Sequence, residues 1–359
     1  MDIEAHAKKR IVELGREMES RVAIYLDVNY WLILRDAASG KRGTEAAKLL
    51  LCMREAVFSG RVFCPISETV LIELLKQNDR KSRKRTAAIV DELSLGVTLI
   101  PQKTRIATEL AHFIHTHTPP PGKSLHPLGH LVWSKVGYTL GFLFPSVPAL
   151  DTKTNFEVQK MFFDHVWRMT LVEMVDEFDD PGPFPKQELV ELTARLNTEV
   201  AAHSDRLTSF AKAYEDELFG TVDLHGDTVV EIFHDMARQA NIEPPPTESE
   251  QSIETRRLGV NLIFAALKKA TPRQQLKSIH AMAAMHAAIR WNKGRKFKPN
   301  DLYDLDHAAA ALAHCRALFT EESLSQLVTA KHVALDKLFE CHVVTKIPNA
   351  LDYLASLKC

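Results

Sequence analysis

The chain has 359 residues, 45% hydrophobic and 25% charged, a length and composition that fit a folded globular protein of one large or two smaller domains and exclude a disordered or membrane-spanning class. A formal net charge of −1 excludes a globally basic nucleic-acid-binding protein, so any polyanion has to be met by local basic patches. Five scattered cysteines without a Cys-x-x-Cys pair point to reduced thiols, a cytoplasmic setting and no zinc ribbon.

The N-terminal stretch is amphipathic and charged, lacks an apolar core of signal-peptide length, and predicts a lead-in helix over 4–19. The run Val22-Ala-Ile-Tyr-Leu26 predicts a first strand reaching residue 27. Ala46, Leu49, Leu50, Met53 and Val57 predict a helix stopped at Ser59-Gly60. A second strand over 61–65 leads into a helix with Ser67 as N-cap, then a helix over 83–94 and a third strand over 97–100 closed by Pro101. This β-α-β-α-α-β order predicts a parallel sheet with right-handed crossovers.

From about 103 to 290 the pattern is long amphipathic helices with no strand. Leu125 to Phe144 is too rich in His, Pro and Lys to span a membrane and reads as buried helix. One helix is expected over 186–219, with Leu189, Leu192, Leu196, Val200 and Leu207 on a stripe, and another over 272–291, opened by Thr271-Pro272. After Pro299 the alternation returns: helix 301–314, strand 316–320, helix 322–338, strand 341–346 and helix 348–357.

Acids stand where ligands of a parallel sheet gather, outside the carboxyl ends of the strands. Asp27 follows the first strand, Glu73 lies beyond the second, Asp304 opens the helix before the next, and Glu321 and Glu322 follow Ala317-Leu-Phe-Thr320. Convergent carboxylates need a cation to remain ionised, and oxygen-only ligation selects Mg²⁺ or Mn²⁺. A helix N-terminus near Asp304 would stabilise its charge.

Leu26-Asp27-Val28-Asn29, Ser67 through Glu73, Asp304-Leu-Asp-His-Ala and Thr320-Glu321-Glu322, in this order, resemble the motifs of PIN-domain nucleases. The one departure is Glu in place of the usual Asp after Thr320. The resemblance covers 21–105 and 298–359. It implies a three-layer α/β/α parallel-sheet core preceded by a lead-in segment (1–20) and interrupted by a helical insertion (106–297). It further implies metal binding and catalysis by Asp27, Glu73, Asp304 and Glu322 or Glu321. Asn29, Ser67 and Thr320 would support them, with Asn29 orienting Asp27. The implied activity is a divalent-metal endoribonuclease. The alternative is an inactive PIN-like module whose insertion recruits a protein or nucleic acid. That insertion could also build a homodimer.

Two basic runs flank these acids: Arg80, Lys81, Arg83, Lys84 and Arg85, and Arg290, Trp291, Lys293, Arg295 and Lys296. They predict contacts to a nucleic-acid backbone, RNA ahead of DNA, with Trp291 able to stack on unpaired bases. His112, His115, His117, His126 and His130 read as structural residues rather than as zinc ligands. His307, in an alanine-rich helix, reads as packed. A P-loop is absent.

Overall fold

A computed structural model describes residues 2–119, 124–177, 186–202, 208–292 and 294–357. The chain begins with α1 (Ile3–Met18), β1 (Val22–Leu26), α2 (Val28–Ala38), α3 (Thr44–Phe58), β2 (Val62–Phe63), α4 (Glu68–Leu75), α5 (Arg80–Ser94) and β3 (Val97–Leu99). Next come α6 (Gln102–His117), a short strand β4 (Trp133–Lys135), α7 (Thr152–Val166), α8 (Leu171–Glu177), α9 (Lys186–Ala202), α10 (Phe210–Leu224) and α11 (Gly226–Gln239). The remainder is α12 (Glu250–Leu267), α13 (Ala270–Gln275), α14 (Lys277–Trp291), α15 (Pro299–His314), β5 (Ala317–Phe319), α16 (Glu322–Thr329), α17 (Leu335–Leu338), β6 (His342–Val344) and α18 (Ile347–Ser356).

The fold is α/β: mostly helix around a small parallel sheet of order β2-β1-β5-β6. β1 is central because Ile24, Tyr25 and Leu26 are all fully buried, as expected of a strand covered on both faces. Leu26 stands opposite Phe319, and Phe319 opposite Val344, so the carboxyl ends of β1, β5 and β6 lie level. β3 joins beyond β2 through a parallel bridge of Ile66 to Thr98, in which the Leu99 N–H reaches the Ile66 carbonyl at 2.8 Å. Helix α15 packs on β1 and β5. α3 packs on β2 and on α2, α5 and α18.

Several expectations from the sequence are corrected. Residues 125–144 are not a helix: they carry β4 between two 3-10 turns, and β4 pairs antiparallel with β3. The pairing partner is remote in sequence, so local periodicity could not disclose it. The segment 28–38, with its apolar run Tyr30-Trp-Leu-Ile-Leu34, forms α2, which the sequence reading did not separate from strand and loop. The expected helix over 272–291 is two helices broken at Leu276, with Lys269 rather than Thr271 as the N-cap. That over 322–338 is also two, with Ala334 in the left-handed region. That over 186–219 is α9 and α10. Of its stripe, Leu192 is exposed and Leu207 lies outside the described residues.

The long helical stretch does not hang apart from the sheet. Phe163 of α7, Trp167 just after it, Leu171 of α8 and Met285 of α14 share one apolar core with β1, β2 and β5. A second cluster, including Leu110, Leu218, Val229, Val260 and Ile279, knits α6, α10, α11, α12 and α14. Cys64, Cys315 and Cys341 are buried free thiols, and burial pushes the Cys341 thiol up to about 12. Among the described residues no helix is long and apolar enough to cross a membrane.

A carboxylate of α5 caps α8. The Asp91 carboxylate accepts the Leu171 and Val172 N–H groups at 2.7 and 2.9 Å, satisfying the first free donors of α8. Asp91→Ala leaves both donors unpaired and is expected to cost about 1–3 kcal/mol in chemical denaturation, a loss that Asp91→Asn should in part restore.

Candidate active site

Asp27 ends β1 and caps α2. Its Oδ1 accepts the Tyr30 N–H at 3.0 Å, its own N–H reaches the Phe319 carbonyl at 3.0 Å, and the Thr320 hydroxyl donates to its carboxylate. β1 and β5 finish level, which sets Thr320 beside Asp27, while the Tyr30 N–H comes from the helix that Asp27 itself caps. Asn29 is exposed on the first turn of α2, so Tyr30 and Thr320 orient the carboxylate in the place expected for Asn29. Burial raises the Asp27 pKa. The two hydrogen bonds and His307 oppose the rise, and the Glu321 charge adds to it.

Glu73 lies on the second turn of α4 and is held by a histidine. His307 Nε2 stands 2.8 Å from Glu73 Oε2, and its Nδ1 stands 2.7 Å from the Tyr25 hydroxyl, which is 2.6 Å from Ser67 Oγ. Nε2–H donates to the Glu73 carboxylate, and the Tyr25 hydroxyl seats the other ring nitrogen. Burial pushes the Tyr25 phenol well up, so it keeps its proton. Ser67 does occupy the N-cap position of α4, but its hydroxyl turns to Tyr25 and not to the helix N–H groups. His307 is packed, as read, and is also the partner of a candidate acid. The sequence reading passed over Tyr25 and gave His307 a packing role alone. Their signal was spacing: Tyr25 and Asp27 are two apart on one strand face, and Asp304 and His307 are three apart on one helix face.

Asp304 is not at a helix start. α15 begins at Pro299, and Asp301 takes the capping role, its carboxylate accepting the Lys298 N–H at 2.9 Å. Far from being stabilised by the helix dipole, the Asp304 carboxyl is pushed up to about 6. Burial is the main cause, opposed by His307 and reinforced by Asp301, Glu73 and Glu321. Glu321 immediately precedes α16 and acts on both Asp27 and Asp304, whereas Glu322 opens that helix, exposed, with Gln326 3.4 Å away. Charge therefore acts between Glu321 and both Asp27 and Asp304, and between Glu73 and Asp304. Two neighbours serve structure: Glu68 accepts the Gln102 N–H at 3.0 Å, and Asp306 accepts the Gln102 amide at 2.7 Å.

Among the described residues no three His, Cys, Asp or Glu side chains stand arranged to hold an ion. Glu73 is turned to His307, and Glu322 toward Gln326. The donor chemistry nevertheless fits a hard divalent cation: the ligands on offer are carboxylate oxygens, two of them carry raised pKa values, and their charges repel.

The basic runs are largely engaged. Arg80 and Lys84 stand 3.8 and 2.6 Å from Asp176 of α8, and Arg83 is buried with Nη1 on the Leu75 carbonyl. Arg85 bonds the Lys81 carbonyl and Ser82, and Lys81 itself is exposed. In the second run Arg290 pairs with Glu217, Arg295 with Asp301 at 3.2 Å, and Trp291 and Lys296 are exposed. Lys293 lies outside the described residues. Of the histidines, His130 pairs with Glu19 at 3.2 Å, His117 meets the Phe113 ring, and His112, His115 and His126 line a cavity of about 550 Å³.

A raised acid pKa favours the fold below it and weakens the fold as pH climbs through it. Asp304→Asn is therefore expected to raise metal-free stability at pH 7.5 by about 1 kcal/mol, a value kept small because the group is partly exposed. The gain should vanish by about pH 4, where the unfolded Asp also protonates. Melting curves at the two pH values check this, and an equal gain at both would contradict it. No protein-family model, curated protein or solved structure matches the chain.

Proposed function

We propose that the chain is a divalent-metal-dependent endonuclease of PIN-like type, with RNA, single-stranded or structured, as its substrate. The observation that supports this reading is the placement of four acids from four separate elements, with the Glu321 charge acting on Asp27 and Asp304 and the Glu73 charge on Asp304. Asp27 closes β1, Glu73 lies on α4, Asp304 on α15 and Glu321 beyond β5, at one end of a parallel sheet. Ligands of such sheets bind at that end. The choice of RNA rests on the motif resemblance.

Asp27, Glu73, Asp304 and Glu321 would hold Mg²⁺ or Mn²⁺. Bound there, the ion supplies Lewis acidity for the scissile phosphate and a lowered pKa for water. The chain's own residues prepare the site. Thr320 and the Tyr30 N–H fix the direction of the Asp27 carboxylate. His307, seated by Tyr25 and Ser67, fixes Glu73, and such outer partners commonly set the affinity of a metal site. Asp304, with its pKa at about 6, has to release its proton for the cluster to accept a cation, so cation uptake should weaken below pH 6.

The test is cleavage of generic single-stranded RNA and DNA with Mn²⁺, Mg²⁺ or EDTA. Wild type should cut only with metal, Asp27→Asn should not cut, and His307→Gln should cut about 10- to 100-fold more slowly. Absence of cutting by wild type on either nucleic acid, together with no thermal shift on adding Mn²⁺, would replace this reading with the inactive binding module.

A further inference from the structure

A cavity of about 480 Å³ opens where the end of α14 meets the start of α16, lined by Ala288, Trp291, Arg295, Ser323, Gln326 and His332 among others. It is large enough to take a nucleotide-sized group. Its aromatic wall is Trp291, 38% exposed, while Trp31, Trp133 and Trp167 are buried. His332 and Phe210 meet the indole at 68° and 71°, with centroids 4.9 and 6.0 Å away, so neither ring stacks on it. The rest of the lining supplies a guanidinium, two carboxamides, a hydroxyl and an imidazole.

The cavity is tied to the acidic cluster from two sides. Gln326 Nε2 stands 3.4 Å from Glu322, next in sequence to Glu321. Arg295 pairs at 3.2 Å with Asp301, one turn before Asp304 on α15. A flat ring stacked on Trp291 would have its polar edge toward groups that are already positioned.

We infer that this cavity is a subsite for one unpaired nucleobase, stacked on Trp291 with its edge toward Arg295, Gln326 and Ser323, so that the substrate strand enters single-stranded next to the carboxylates. This rests on the nuclease reading for its purpose but not for its test. Base stacking on an aromatic side chain is sequence-tolerant and worth about a tenfold change in affinity or more. A duplex, with its bases paired, has none to offer.

Because Trp291 is the exposed indole, intrinsic fluorescence reports the site directly. With a short oligoadenylate in EDTA, the full chain should show saturable quenching, and so should Asp27→Asn. Trp291→Ala should lose the quenching and bind about tenfold more weakly by anisotropy. Gln326→Ala, at an exposed position, should also bind more weakly and decides the matter if Trp291→Ala fails to fold. No quenching of wild type, or wild-type affinity in folded Trp291→Ala, overturns the subsite. Quenching without metal-dependent cutting keeps the subsite and removes the nuclease. Cutting with an unchanged KM in Trp291→Ala does the reverse.

Discussion

Carboxylates that share a half-buried corner repel one another, and a fold that keeps them there needs some group to offset their charge. In this chain that group is His307, which bonds Glu73 directly and lowers the pKa values of Asp27 and Asp304 against the pull of burial. The imidazole can do this only if its ring is fixed, and it is fixed from inside the sheet. Tyr25, fully buried in the central strand, joins it to Ser67 at the mouth of α4. One hydroxyl therefore links β1, α4 and α15, which between them present Asp27, Glu73 and Asp304. Low local dielectric strengthens such a chain when every member is satisfied and penalises it when one is not.

The same geometry explains which parts of the fold could be read from the residues. β1, β2, β3, β5 and β6 are short apolar runs between helices, and their order alone implied a parallel sheet. β4 and the helix breaks at Leu276 and Ala334 depend on tertiary partners, which no local pattern carries. Within the site, the difference between Glu321 and Glu322 comes down to where β5 ends and α16 begins, a boundary of one residue. Element ends are where periodicity is weakest. Asp304 was legible as an acid at the site but not as a raised one, because the burial that raises it and the Glu73 and Glu321 charges that add to it arise only in the folded chain. The basic runs show the opposite limit. Charge was plain in the sequence, yet the pairing of Lys84 with Asp176 and Arg290 with Glu217 was not, since each partner lies on a helix remote in sequence.

The helices between β4 and α15 are built into the core and do not merely decorate it. α7, α8 and α14 share the sheet's apolar interior, and Asp91 ties α8 to α5 by two backbone hydrogen bonds. α14 is the most consequential of them. It packs along α15, the helix that holds Asp304 and His307, and ends at Trp291 beside α16. A displacement of α14 would therefore be felt at the acids and at the exposed indole together, a rigid-body coupling between the helical stretch and the site.

The central strand has a timing consequence. β1 precedes every other strand, yet one of its two neighbours, β5, pairs Ala317 with Ile24 across all the intervening helices. Non-local pairing of this kind is slow to form and leaves a partner strand waiting. While the ribosome is still producing the intervening helices, β1 has only β2 beside it, and neither Asp304 nor Glu321 has emerged. The corner where the acids meet thus comes into being only with the last elements of the fold. A partial product that stops before α15 carries Asp27 and Glu73 alone, so the acidic pocket cannot assemble until α15 and β5 have been added.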